Sequence, residues 1–128
     1  MKIAHVVCSY LPYFGGMGQL AFHMASELTK RGHTVEVITP QKGEPEEETV
    51  SYANRLRPRF QYGNAANLPQ ITKELDRFDI VHLHYPFFGT ANLVRKWKKN
   101  HPNKPLIVTY HMDTRGTGWK GLYFAYYN

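Results

Sequence analysis

At 128 residues, with a formal net charge of +6 and a pI near 9.5, the chain is one domain, long enough to bury a real core and short for a two-domain enzyme. Its single cysteine, Cys8, excludes an intrachain disulfide and points to a reducing compartment, with the cytoplasm as the expected location. The apolar amino-terminal run is broken by Tyr10, Pro12 and the glycines too soon for a signal or membrane segment. The positive balance favours an anionic partner (a nucleotide, a membrane surface or nucleic acid), and composition does not choose among them.

The run from Ile3 to Cys8 carries no formal charge and reads as a buried strand. It feeds the segment Tyr10-Leu-Pro-Tyr-Phe-Gly-Gly-Met-Gly-Gln, after which Leu20, Ala21, Met24, Ala25 and Leu28 recur at helical spacing. That helix is expected to start just after Gly18 and to run to about Lys30. Gly32 stops it, and Lys30 and Arg31 suit the negative end of its dipole. Thr34 to Thr39 is a second strand, halted by Pro40. A polar loop holding Glu44, Glu46, Glu47 and Glu48 leads to a weaker strand around Thr49 to Ala53. Arg55 to Ala66 shows no clear period, and its arginines Arg55, Arg57 and Arg59 are read as a solvated strand edge.

Asn67 followed by Pro69 and Gln70 resembles a capping start, with Ile71, Leu75 and Phe78 on one helical face. Asp79 to Tyr85 is a fourth strand, ended by Pro86. Thr90 is suited to cap a helix whose Leu93, Val94 and Trp97 face inward and whose Arg95, Lys96, Lys98 and Lys99 face solvent. Pro105 to Tyr110 is nearly continuously apolar, the pattern of a strand covered on both faces, and it delivers His111 at its carboxyl end. Met112 to Asn128 carries Arg115, three glycines and the aromatic residues Trp119, Tyr123, Phe124, Tyr126 and Tyr127. This tail reads either as a buried amphipathic helix or as an interface-docking segment. It ends without a turn signal or polar tail, which suggests a piece of a longer protein.

Alternating strands and helices predict a Rossmann-like parallel sheet flanked by helices on both faces. In such sheets ligands bind at the carboxyl ends of the strands, near the point where strand order reverses. The glycine loop after the first strand, His84 and Tyr85 after the fourth, and His111 after the fifth all belong to that edge. A helix start carries unpaired N–H groups and partial positive charge, so Gly15, Gly16 and Gly18 suit backbone contact with a diphosphate. A tight turn with no ligand is the plain alternative for these glycines. His111 as a neutral imidazole can donate to a hydroxyl or phosphate oxygen, and Asp113 lies close by in the chain. Tyr10, His84, Tyr85 and Asp113 are candidate cleft or acceptor contacts. His82 and His84 share one side of a strand, but with His111 they lack the further ligands and supporting partners of a metal centre, so no metal is expected. His82 reads as a core histidine, and His5 and His33 as structural or surface groups. Cys8 is expected to be inert.

Gly16, Gly18 and Ala21 also satisfy the loose G-x-G-x-x-A spacing of dinucleotide folds, which makes a nicotinamide-dependent oxidoreductase the rival reading. Two features oppose it. The stretch Tyr10 to Phe14 holds the glycines away from the strand end, and Thr39, Pro40 and Gln41 supply no acid for a ribose. A third reading is a non-catalytic module for anionic surfaces, whose binding would depend strongly on salt.

Four pieces, in this order and spacing, resemble the amino-terminal domain of the GT-B, retaining, nucleotide-sugar-dependent glycosyltransferases of family 4, or group 1. They are Tyr10-Leu-Pro12 with Gly15-Gly16, Arg31-Gly-His33 with Val35, Val37 and Thr39, Asp79-Ile-Val-His82-Leu-His84, and Thr109-Tyr-His111. The resemblance spans nearly the whole chain. It implies the acceptor-side half of a two-domain enzyme whose second domain, with paired glutamates and an Arg/Lys donor clamp, is absent from this chain. Gly16 would lend its N–H to the donor diphosphate, and His111 would lie beside the donor sugar. Here Met112 separates His111 from Asp113, where many members have the aspartate directly after the histidine. The implied partners are a nucleotide-sugar donor and a carbohydrate or lipid-linked acceptor, with peripheral contact at the inner membrane face, no nucleic acid, no metal and no other cofactor. These 128 residues alone are expected to be inactive.

Overall fold

The computed structural model describes residues 1–13, 15–43 and 50–112. In chain order the elements are β1 (Lys2–Val6), α1 (Gly16–Lys30), β2 (Thr34–Pro40), β3 (Ala53–Leu56), β4 (Phe60–Tyr62), β5 (Ala65–Asn67), α2 (Ile71–Leu75), β6 (Ile80–Tyr85), α3 (Ala91–Asn100) and β7 (Leu106–Tyr110). Five strands form one sheet in the order β3-β2-β1-β6-β7, with every neighbouring pair parallel. The predicted Rossmann-like sheet is therefore present, with helices on both faces.

Alternation along the strands sorts the core into two layers. Ala4, Val6, Ile38, Val81 and Leu83 pack with Ile71, Leu75 and Phe78 and with Val94 and Trp97, so α2 and α3 cover one face. Ile3, Val7, Val35 and Val37 pack with Ala21 and Ala25 of α1 on the other. Among the described residues no helix is long and apolar enough to cross a membrane.

Several boundaries differ from the sequence reading, each for a local reason. The first helix starts at Gly16, inside the glycine run, and ends as predicted, with Gly32 at φ 90 in the left-handed region. β1 stops at Val6, before Cys8, which is buried beyond the strand end. The third strand lies at Ala53–Leu56, later than expected, because Tyr52 turns at φ 67 immediately before it. The segment without period contains an antiparallel hairpin, β4 with β5, joined through Gly63 and Asn64. Gly63 has φ 57, and a two-residue Gly-Asn link is a hairpin signal the sequence did carry.

α2 is only one turn and a half, and Asn67 does not cap it: the Asn67 side-chain amide donates to the Gly89 carbonyl at 3.0 Å. Ile71, Leu75 and Phe78 are nonetheless all buried on one side, as the spacing predicts. Thr90 precedes α3 but makes no side-chain cap. Its hydroxyl donates to the Ala66 carbonyl at 2.7 Å and accepts from the Leu68 N–H at 3.2 Å, fastening the helix start to the hairpin. Lys98 is not simply solvated, since its ammonium donates to the Pro102 and Lys104 carbonyls at 2.8 Å each. Among the described residues β7 stands at one end of the strand order, and its Ile107, Val108 and Tyr110 are about half exposed.

Candidate functional site

Strand order reverses between β1 and β6: the chain moves from β1 to β2 and β3 on one side, then returns to β6 and β7 on the other. The crevice outside the carboxyl ends of β1 and β6 is where this architecture receives ligands. The start of α1 stands there. Its N-cap is Gly15, with no side-chain hydrogen bond to the first-turn amides and no acid in that turn. Those amides and the helix dipole leave a positive end.

The three glycines separate cleanly by what a Cβ would meet. At Gly18 it would lie 2.7 Å from the Ser9 carbonyl oxygen and 3.0 Å from the Tyr10 Cα, so Gly18 is required for the helix to pack on the loop. Gly15 and Gly16 are exposed and have nothing within 4 Å. Gly15 has φ 171, an extended conformation open to any residue. The turn alone therefore explains Gly18 but neither of the other two.

The loop is fastened from three sides. Tyr10 is wholly buried, and its hydroxyl donates to the Ser51 carbonyl at 2.8 Å, with burial pushing its pKa up to about 12. It thus anchors the loop from inside instead of offering a free hydroxyl to a cleft. Tyr13 donates to the Lys42 carbonyl at 3.1 Å, and the Arg55 guanidinium donates to the Leu11 carbonyl. Lys42 places its ammonium 3.4 Å from the Ser9 hydroxyl, 3.3 Å from the Asn64 side-chain oxygen and 5.2 Å from the centre of the Tyr13 ring. Among the described residues it meets no carboxylate. Cys8 is buried, its thiol raised in pKa by burial, and it contacts the Met17 sulfur at 3.7 Å.

On the same face as α1, β1, β6 and β7 present imidazoles. His5 pairs in register with His82, and His84 with Thr109. His5 Nδ1 lies 3.0 Å from His84 Nε2, and His84 Nδ1 lies 3.0 Å from His111 Nε2. His82 stacks on His84 at 4.5 Å and holds its Nε2 2.6 Å from the Thr109 hydroxyl. Burial lowers all four pKa values, His5 to about 4 and His84 to about 3, so the rings are neutral at pH 7. Nitrogens of His5, His82 and His84 come within 4.8 Å of one another. The His82 and His84 rings are nearly parallel, however, at 16°, so their in-plane lone pairs run side by side instead of converging on an ion.

Of the residues singled out in the sequence, Gly15 and Gly16 stand at the helix start, and His84 and His111 are joined at the ends of β6 and β7. His84 is fully buried, so it reaches the edge only through His111. Tyr85 alternates to the other face, where it stacks on Tyr110 at 5.7 Å and lines a groove of about 840 Å³ with Leu83, Asn92 and Arg95. Its carbonyl nevertheless accepts from the His111 N–H at 2.9 Å, so its backbone joins the end of β6 to His111 while its ring lies on the other face. Asp113 lies outside the described residues, as do the acidic loop and the aromatic tail. Sequence reasoning missed Lys42 and His5. The signal for Lys42 was a cation two positions past Pro40, at the carboxyl end of the strand beside β1. For His5 it was the register that sets the first strand against His82.

Comparison with known proteins bears on this arrangement. Residues 14–128 match the family described as Glycosyltransferase Family 4. The chain is also similar to an uncharacterized glycosyltransferase of Methanocaldococcus jannaschii, 33% identical over 109 residues that cover 73% of this chain and 27% of the relative. It therefore spans about a quarter of that relative's length. A parallel sheet with an anion-receptive helix start at its switch point, together with a match over most of the sequence, leads to one assignment: the chain belongs to glycosyltransferase family 4.

Proposed function

We propose that this chain is the acceptor-side domain of a retaining, GT-B glycosyltransferase that moves a hexose from a nucleotide sugar to a glycan, lipid-linked or small-molecule acceptor. The observation that carries the reading is the contrast among the glycines: Gly18 is crowded by Ser9, while Gly15 and Gly16 face open space at a helix start. Space kept clear beside exposed amides suits a diphosphate.

In this scheme the bond between the anomeric carbon and the diphosphate oxygen breaks, negative charge gathers on the departing nucleoside diphosphate, the acceptor oxygen bonds to the same carbon on the same face, and the acceptor's proton passes to the diphosphate. The first-turn amides and the Lys42 ammonium stabilise that charge without a metal ion. Tyr10, Tyr13 and Arg55 hold the loop so that the amides are already oriented. His111 lies beside the donor sugar and orients it through a hydrogen bond. No protein nucleophile enters the scheme. Asp113 is assigned to the acceptor side, and a second domain completes the cleft and holds most of the nucleotide.

The hairpin suggests how a lipid-linked acceptor is met. Phe60 and Tyr62 are exposed, as are Arg57 and Arg59, and aromatic rings with cations suit the face of an anionic membrane. On the reading proposed here the protein is in the cytoplasm, working at the inner membrane face.

Calorimetric titration of the full-length protein with uridine and guanosine diphosphate sugars, run beside nicotinamide cofactors, tests the reading. Binding of a nucleotide sugar, with transfer detected only in the full-length protein, is the expected outcome. Binding of a nicotinamide cofactor without any nucleotide sugar would overturn it in favour of an oxidoreductase.

A further inference from the structure

The histidines joining β1, β6 and β7 do more than fill a face of the sheet. A neutral imidazole carries one proton and two nitrogens, so each ring in a chain of such rings must donate at one nitrogen and accept at the other. The contact of His5 Nδ1 with His84 Nε2 and that of His84 Nδ1 with His111 Nε2, both 3.0 Å, each need one proton between the two nitrogens. Only two arrangements satisfy both contacts. Either all three rings are protonated on Nδ1, or all three are protonated on Nε2.

The buried end of the chain breaks this tie. His5 is fully buried, and its Nε2 has no hydrogen-bond partner among the described residues. The second arrangement would place an N–H there with nothing to receive it. The first leaves a bare nitrogen instead, and buried donors without an acceptor are the rarer of the two defects. At the outer end, the first arrangement puts the His111 proton on Nδ1, the nitrogen not engaged with His84.

We propose that His5 and His84 are positioning residues that lock His111 as its Nδ1–H tautomer, so that the ring meets a ligand at the sheet edge as a hydrogen-bond donor and not as a base. His82 supports the lock by stacking on His84 at 4.5 Å and packing at a tilt against His5 at 4.9 Å, while its own Nε2 is held by Thr109. The depressed basicity of the rings keeps the chain neutral at pH 7, which the one-proton rule requires. A donor fixed in this way suits a sugar hydroxyl or a phosphate oxygen. That ligand assignment rests on the glycosyltransferase reading, whereas the tautomer does not.

Long-range 1H–15N correlation on the full-length, 15N-histidine-labelled protein at pH 7, without donor, reads which nitrogen of each ring is protonated. His111 is expected to be protonated on Nδ1 and bare on Nε2, with His5 and His84 the same. In His84→Phe, the Nδ1–H population of His111 should fall from nearly whole to below half, because nothing then donates to its Nε2. In His5→Phe it should fall less. Protonation of His111 on Nε2 in the unaltered protein overturns the proposal, as does an unchanged tautomer in His84→Phe. If the variants fail to fold, the unaltered protein decides alone. A correct tautomer without any nucleotide-sugar binding would reject the glycosyltransferase reading and leave the lock standing.

Discussion

The two faces of the sheet are built for different work. The face under α2 and α3 is apolar across the strands, from Ala4, Val6 and Ile38 to Val81, Leu83 and the fully buried Trp97. The face under α1 is apolar only where that helix packs, on Ile3, Val7, Val35 and Val37. Where it passes to β6 and β7 it carries His82, His84 and Thr109, with His5 reaching across from β1. Burying polar rings is costly unless each is hydrogen-bonded. A chain that accepts the cost on one face and avoids it on the other has separated its apolar packing from its buried polar groups.

That separation is most easily broken on the apolar side. Trp97→Ala removes the largest buried side chain of the core together with its indole hydrogen bond to Asp76 at 2.9 Å, and should cost about 3–5 kcal/mol of stability. Chemical denaturation of this variant checks the value. If nucleotide-sugar affinity, measured while the variant is still folded, also falls more than tenfold, the two faces are not independent.

The polar face should show itself through pH. The folded pKa values of His5, about 4, and His84, about 3, lie below the ordinary 6.5. The stability they leave intact is complete above 6.5 and is lost as pH falls from there through the folded values, since the unfolded chain takes up protons that the folded chain refuses. Each ring contributes up to about 1.4 kcal/mol per pH unit in that window. A loss on the order of 3 kcal/mol between pH 7 and pH 5 is therefore expected from denaturation midpoints, with a shallower slope in His84→Phe. A flat profile would mean that the rings are not held neutral by burial.

A smaller effect belongs to the boundary between helix and loop. Gly18→Ala drives a methyl group to 2.7 Å from the Ser9 carbonyl and should destabilise by about 1–3 kcal/mol, seen as a lower thermal midpoint. Tolerance of alanine there would remove the packing reason that sets Gly18 apart from its neighbours.

The fold was legible in the sequence wherever local chemistry and tertiary packing agree. Gly32 ends α1, Val35 and Val37 alternate into one layer, and Ile71 and Leu75 of α2 join Phe78 just after it in one core cluster, because the same residues serve both levels. The hairpin at Phe60 to Asn67 escaped because its strands, FQY and AAN, are three residues each and too short to show a period, and only Gly63-Asn64 marked it. Thr90 resembled a cap but bonds to Ala66, a partner twenty-four positions back that no local rule supplies.

Of the candidate site, the positions of the glycines at the helix start and of His111 after β7 were legible in the sequence. The buried relay behind His111 was not, since His5 and His84 meet across strands seventy-nine positions apart. Nor was Lys42, which acquires meaning only when Ser9, Tyr13 and Asn64 surround it.

The most direct test of the account is Gly16→Ala in the full-length protein, with stability and nucleotide-sugar affinity measured side by side. A methyl group at this position enters open space, so stability should change by less than about 0.5 kcal/mol. On the proposed function, donor affinity should fall at least about tenfold, roughly 1.4 kcal/mol, because the methyl group would occupy the room the proposal gives to the diphosphate. Unchanged affinity in a stable Gly16→Ala protein would contradict the claim that the start of α1 receives the donor.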